Sequence, residues 1–226
     1  NSASITFGTT TLTNTTFTDE IFLVKYDPSG NVLWARQVVG QSTDIPYGIT
    51  SDINNNIFIT GWFFSTTITF GSFTLTNTGG ADVFTAKYDP AGSVLWVQAG
   101  MANNSNDGKG SGISTDGLGN SYVTGYFLNA ITFGTLNLTG IGKEPFIVKY
   151  DPLGNVIWAK CGNANADEIA NAITTDATGN SYITGHFFGS ISITFGTITI
   201  GCCNNTWKLF VVKYDASGNA IWAKLG

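Results

Sequence analysis

Residues 146–159 read FIVKYDPLGNVIWA, and three other stretches of the chain repeat that pattern. They are FLVKYDPSGNVLWA from Phe22, FTAKYDPAGSVLWV from Phe84 and FVVKYDASGNAIWA from Phe210. The lysines Lys25, Lys87, Lys149 and Lys213 follow one another at 62, 62 and 64 residues, and Trp34, Trp96, Trp158 and Trp222 keep the same spacing. Within each copy, β-branched and aromatic runs flank a D-[PA]-x-G turn, which is a hairpin pattern. Pro28, Pro90 and Pro152 suit the second position of a turn, and the glycine two residues later can take positive φ.

Two further blocks recur around this hairpin. ITFG occurs four times, with Phe7, Phe70, Phe133 and Phe195, and each copy opens a shorter hairpin of the ITFG–TLTN kind. A third block occurs three times: SDINNNIFITGWF from Ser51, TDGLGNSYVTGYF from Thr115 and TDATGNSYITGHF from Thr175. One unit therefore has four strands: a (GITSD), b (NIFITGWF), c (VFTAKYD) and d (SVLWVQAG), with the ITFG hairpin between b and c. No stretch of ten or more residues carries a helical period, so the chain is all-β. Four antiparallel strands at fixed period describe a β-propeller blade, the inserted hairpin accounting for the length beyond an ordinary blade. The rival, a β-helix, uses much shorter coils. The expected architecture is a propeller of four-stranded antiparallel blades in repeats of about 62 residues. Units fall at 1–40 (partial), 41–100, 101–162 and 163–226. With four c–d halves and three a–b halves, the chain holds about three and a half blades, as expected of part of a longer propeller, of a four-bladed ring with one incomplete blade, or of open edges that pair between chains.

The 226 residues are 42% hydrophobic and 11% charged, with a net charge of −5. A charged fraction near 25% is usual, so disorder is excluded. The acidic balance argues against a nucleic-acid partner. No run of about 18 apolar residues exists to insert into a membrane. No basic-then-apolar leader opens the chain, so any signal peptide is expected to have been removed.

The segment from about Ile5 to Gly226 resembles the bacterial beta-propeller repeat family SBBP. GNSYVTGYF, ITFG and PFIVKYDPLGNVIWAK match its "GN-x-Y-[IV]-TG-x-F … FG … D-x-F-[IV]-x-KYD-x-x-GN-x-x-W" pattern. The a–b half PYGITSDINNNIFITG is also similar to NHL-type repeats. The resemblance implies a large secreted or cell-surface bacterial protein and no assigned chemistry. The chain departs from the pattern before the last strand c, where Lys208 stands in place of the acids Glu20, Asp82 and Glu144.

Candidate functional groups are few. Trp62, Tyr126 and His186 follow the glycine of strand b, and with the unrepeated Trp207 they are candidate ligand-binding residues that would stack on sugar rings. The competing reading packs these rings between blades, and the d-strand tryptophans are read the same way. The turn acids resemble calcium loops only superficially, because one Asp per turn is short of the six or more oxygens calcium takes. Asp44, Asp107 and Asp167 recur before strand a, as turn caps or as partners of the strand lysines. Cys161, Cys202 and Cys203 have no zinc spacing. A bridge from Cys161 to Cys202 or Cys203 is plausible in an oxidising compartment, with a vicinal Cys202–Cys203 bridge as the rival. Asn14, Asn103, Asn137 and Asn204 begin N-x-[ST] sequons, which matter only in a host that glycosylates.

No catalytic residues, metal ligands or cofactors are expected. The leading expectation is a non-enzymatic extracellular or cell-surface module with a structural, adhesive or self-assembling role. Its partners would be other copies or further repeats meeting at open blade edges. The alternative is a lectin-like module that binds surface glycans on the insert-bearing face. A propeller hydrolase or lyase would need two or more acids, or a histidine, converging in one pocket.

Overall fold

The structure is a computed structural model that describes residues 3–14, 18–102, 107–163, 167–189, 192–201 and 206–226. These residues form antiparallel strands joined by tight turns, and no helix among them is long and apolar enough to cross a membrane. The chain opens with a hairpin, β1 (Ser4–Phe7) and β2 (Thr10–Thr13), followed by β3 (Ile21–Tyr26) and β4 (Val32–Val39). The second blade is β5 (Asp44–Ser51), β6 (Ile57–Phe63), β9 (Asp82–Tyr88) and β10 (Val94–Ala102), with the hairpin β7 (Thr67–Phe70) and β8 (Phe73–Thr76) inserted. The third is β11 (Gly108–Thr115), β12 (Ser121–Phe133), β13 (Leu136–Tyr150) and β14 (Val156–Asn163), whose insert simply lengthens the β12–β13 hairpin. The fourth is β15 (Glu168–Thr175), β16 (Ser181–Gly189), β19 (Thr206–Tyr214) and β20 (Ala220–Leu225), with β17 (Ser192–Phe195) and β18 (Ile198–Gly201) inserted.

Within each complete blade the strands pair in the order a–b–c–d. The a strands lie side by side, β11 between β5 and β15, so they form the inner edge of the array. Each carries a register shift at the same place, at Pro46/Gly48, Gly110/Gly112 and Ala170/Ala172. The strand-b motif T-G has a direct cause. Thr60, Thr124 and Thr184 donate their hydroxyls to the carbonyls of Phe84, Phe146 and Phe210. A Cβ on Gly61, Gly125 or Gly185 would sit about 2 Å from a carbonyl oxygen of strand a, closer than any side chain can approach.

The hydrophobic core lies between blades rather than inside any one sheet. Trp34 and Val38 of the first unit pack with Phe63, Phe84 and Tyr88 of the second. Phe58 and Trp96 of the second pack with Phe127, Phe146 and Tyr150 of the third. Tyr122 and Trp158 of the third pack with Phe187, Phe210 and Tyr214 of the fourth. Blades are thus stabilised by their neighbours, as in other repeat architectures.

The inserted hairpins add a link that the sequence does not announce. Each pairs with strand d of the preceding blade: Val38 with Phe70, Gly100 with Phe133, and Gly162 with Phe195. Successive sheets are therefore stitched together by backbone as well as by side chains.

Every turn whose Asp was weighed as a calcium ligand is closed by that Asp. In the first, Asp27 Oδ1 accepts the amides of Ser29 and Asn31, and Oδ2 accepts the Asn31 side-chain amide. Asp52, Asp116, Asp151, Asp176 and Asp215 repeat the arrangement. Gly30 and its equivalents hold the final corner at φ near +80°, which a side chain adopts only with strain. Bonding to the charged form lowers the pKa of Asp27, Asp89, Asp151 and Asp215, and the Asn180 and Thr178 side chains bring Asp176 from 3.8 to about 2.

A group depressed in the fold contributes stability above its unfolded pKa and loses it as pH falls through the folded one. Burial pushes Asp44 and Asp82 the other way, so acid favours the protonated form of these two and offsets part of the loss. Five turn acids are lowered, against two, Asp44 and Asp82, that burial raises. The melting temperature is therefore expected to fall between pH ~4 and ~2, and Asp176→Asn to shrink that fall. Thermal unfolding by circular dichroism across this window tests it, and a flat or rising profile contradicts it.

Candidate functional site

The most elaborated feature of the chain is the junction between blades, and strands c and d build it. Their pairing sets Lys25 beside Trp34, Lys87 beside Trp96 and Lys149 beside Trp158. Each pair donates to a single carbonyl in the c–d turn of the next blade. Lys25 Nζ and Trp34 Nε1 reach the Pro90 oxygen at 3.0 and 3.1 Å. Lys87 and Trp96 reach that of Pro152, both at 3.1 Å, and Lys149 and Trp158 that of Ala216, both at 3.2 Å. The turn glycines Gly92, Gly154 and Gly218 lie flat on the three indoles, where an added Cβ would meet the ring at 2.8 Å.

Electrostatics adds to this geometry. Lys87 and Lys149 stand 3.9 Å from the a–b turn acids Asp52 and Asp116, over the rings of Phe58 and Tyr122. Burial lowers the pKa of Lys149, and the Asp116 carboxylate works against that. Asp44, Asp107 and Asp167, read as turn caps or as partners of these lysines, make no ion pair with them among the described residues. Asp44 accepts the amides of Phe64 and Ser65 and the Ser65 hydroxyl, while Asp107 accepts the Ala81 amide. Asp167 pairs with Lys143 at 3.5 Å. They are not strict equivalents either, because strand register aligns Asp44 with Gly108 and Glu168.

Gly154 gives a direct test of the junction. Gly30→Ala meets only backbone strain, since nothing lies within 4 Å of its Cβ position, whereas Gly154→Ala adds a collision with Trp96. Chemical denaturation should place Gly154→Ala about 1.5 kcal/mol below Gly30→Ala. Equal costs would mean that the ring contact contributes nothing.

The candidate ligand residues are placed differently from one another. Trp62 is buried, edge-on to Phe64 and beneath the Lys109 ammonium. Tyr126 is half-buried with Lys143 over its ring. His186 is half-buried, its Nδ1 bonded to Asn171 and its ring 4.9 Å from Trp207. Trp207 is 59% exposed and packs on Phe188, itself 40% exposed. The three strand-b rings therefore present no common rim, and of the four candidates Trp207, packed on Phe188, is the one that stands exposed. Sequence reasoning named Trp207 but passed over Phe188, which its pairing opposite Trp207 would have disclosed.

Cys161 is a free thiol on β14, its pKa raised to about 11, mainly by burial. Cys202 and Cys203 lie outside the described residues, and so does any bridge involving them. Among the described residues no group of three or more His, Cys, Asp or Glu side chains is arranged to hold a metal.

Comparison with known proteins agrees with this architecture. An uncharacterized WD repeat-containing protein of Acanthamoeba polyphaga mimivirus is 26% identical across 91% of this chain, which spans 12% of that protein's length. Residues 33–62 and 97–126 match the beta-propeller repeat family SBBP. Each match runs from strand d, at or just past the junction tryptophan, to strand b of the next blade. The chain is an array of β-propeller-like repeats, two stretches of which match the SBBP beta-propeller repeat.

Proposed function

We propose that this chain is a non-enzymatic structural and interaction scaffold, displayed outside the cell or at its surface. The observation that carries this reading is where the polar chemistry is spent. The turn aspartates close turns, the strand lysines and tryptophans join blades, and Asp44 and Asp82 accept amides at strand ends. A low-charge, threonine-rich surface on a stitched, repeated frame suits a protein that presents surface rather than one that transforms a substrate. Partners would include further copies or repeats at the open blade edges. Assay of purified chain against ester, phosphoester, glycoside and peptide substrates, with surface labelling of intact source cells, tests the reading. No turnover above buffer together with surface labelling is expected, and turnover or a strictly internal location overturns it.

A glycan-binding role is the second reading, and the exposed Trp207–Phe188 pair favours it. It expects glycan-array binders that are lost on Trp207→Ala. That substitution should leave stability within ~0.5 kcal/mol, because the side chain is largely in solvent. An array without binders removes the reading.

A further inference from the structure

Inside the array, strand d of each blade is covered along only part of its outer edge. The inserted hairpin of the next blade pairs with its last residues: Val38 and Val39 of β4, Gly100, Met101 and Ala102 of β10, and Gly162 and Asn163 of β14. The insert then turns back at Gly71, Gly134 and Gly196, where φ is 58°, 58° and 60°. Before those last residues, 34–37, 96–99 and 158–161 pair with strand c on one side. On their other side no strand pairs with them among the described residues.

A crevice opens where the insert turns away. Between the first and second blades it measures about 320 Å³ and is lined by Gln37 of the edge, Gly71 of the insert turn and Gly92 of the c–d turn. Between the third and fourth it measures about 340 Å³ and is lined at the same positions by Cys161, Gly196 and Gly218. Each lies between two blades that are present, so further repeats at either end of the array would meet its outer faces and leave these gaps open. Each also lies in line with an insert strand. Antiparallel pairing continued past Phe70 would run along Gln37 and Arg36, and past Phe195 along Cys161 and Lys160.

The two crevices differ in their cation. Arg36 is committed to the Gly92 and Ala91 carbonyls of the neighbouring turn. Its counterpart Lys160 lines the second crevice, is exposed, and pairs with no acid among the described residues. On the same strand a bulge turns Ile157 outward, where it is 48% exposed.

We propose that the open edge of β14 takes up an extended, acidic peptide strand from a partner, laid antiparallel to residues 158–161 in line with β17. Backbone pairing supplies the fit, an acidic side chain meets Lys160 and an aliphatic one meets Ile157. The insert already pairs with this edge in the same sense, so the added strand continues an established contact. This inference rests on the scaffold reading and deepens it by naming the chemistry of a partner.

The test titrates a capped synthetic peptide, TVEVTV, into the isotope-labelled intact chain and follows it by NMR. Binding is expected to shift the amides of residues 157–161 and slow their exchange. The peptide TVKVTV should bind about tenfold more weakly, and Lys160→Glu should reverse that preference without moving the melting temperature, because the side chain is exposed. Full backbone N-methylation of TVEVTV should abolish binding, since it removes the donors that strand pairing needs. No perturbation of β14 at millimolar peptide overturns the proposal, and would make the bulge and Lys160 guards against strand addition. Binding that survives N-methylation, or a charge preference that Lys160→Glu leaves unchanged, overturns it as well. Failure here leaves the scaffold reading standing on its own assays, whereas enzymatic turnover would remove that reading without touching the edge.

Discussion

Trp96→Ala is expected to cost about 4 kcal/mol and to lower the melting temperature by roughly 10 °C. The indole is 7% exposed, lies 6.0 Å from Phe58 and 5.9 Å from Tyr150 between ring centroids, and bonds the Pro152 carbonyl. Truncation opens a cavity at the centre of a core shared by two blades and strips the Pro152 carbonyl of one of its donors. The cost should exceed the sum expected from a surface tryptophan by several-fold. Trp222→Ala, at the equivalent position of the fourth blade, should cost no more than about 2 kcal/mol in the monomer, because its ring is only half-buried. Denaturant titrations of both variants at low protein concentration provide the comparison. Equal losses would mean that strand position, rather than the neighbouring blade, sets the value of the tryptophan.

Lys87→Met is the second large effect, with an expected loss of about 3 kcal/mol. Methionine keeps most of the stem packing but removes the charge. Asp52, with its side chain 1% exposed, then loses its cation, and the Pro152 carbonyl loses a donor. The Asn54 and Asn56 bonds still hold the Asp52 carboxylate, which keeps the loss below that of a wholly unpaired buried acid. Adding Asp52→Asn to Lys87→Met should return about 1 kcal/mol, since the stranded charge is then gone. Lys25→Met supplies the control. Lys25 binds Pro90 in the same way, but it is less buried and no ion pair joins it to an acid among the described residues, so its loss should stay below about 1 kcal/mol. Similar losses at Lys25 and Lys87 would show that the acid plays no part.

These effects depend on features that were unequally legible in the sequence. The turns were plain, because D-[PA]-x-G-N leaves few conformations open, and the alternating strands on either side followed. The place of each insert between strands b and c was equally clear. Its partner was not: TITF meets strand d through Val38–Phe70 and Val39–Thr69, and a pairing that short leaves no periodic signal. The lysines were correctly read as needing a partner inside an apolar strand. Asp44, Asp107 and Asp167 were read either as turn caps or as that partner, because loop lengths before strand a obscure the register. In the structure the nearest acceptor is a proline or alanine carbonyl, a backbone group that no side-chain pattern can announce, with Asp52 or Asp116 farther away. Identical motifs also end in unlike surroundings. Phe84, Phe146 and Phe210 are buried beneath strand b, whereas Phe22 on β3 is 50% exposed.

The central claim is that each blade is held by the next through one indole and one lysine on a turn carbonyl. Amide and indole hydrogen exchange, followed by NMR on dilute chain, examines it most directly. The six tryptophans give resolvable Nε1–H signals. The account predicts slow exchange at Trp34, Trp96 and Trp158, with fast exchange at Trp207 and Trp222. Four equally protected signals from the repeated tryptophans, or fast exchange at Trp34, Trp96 and Trp158, would contradict it.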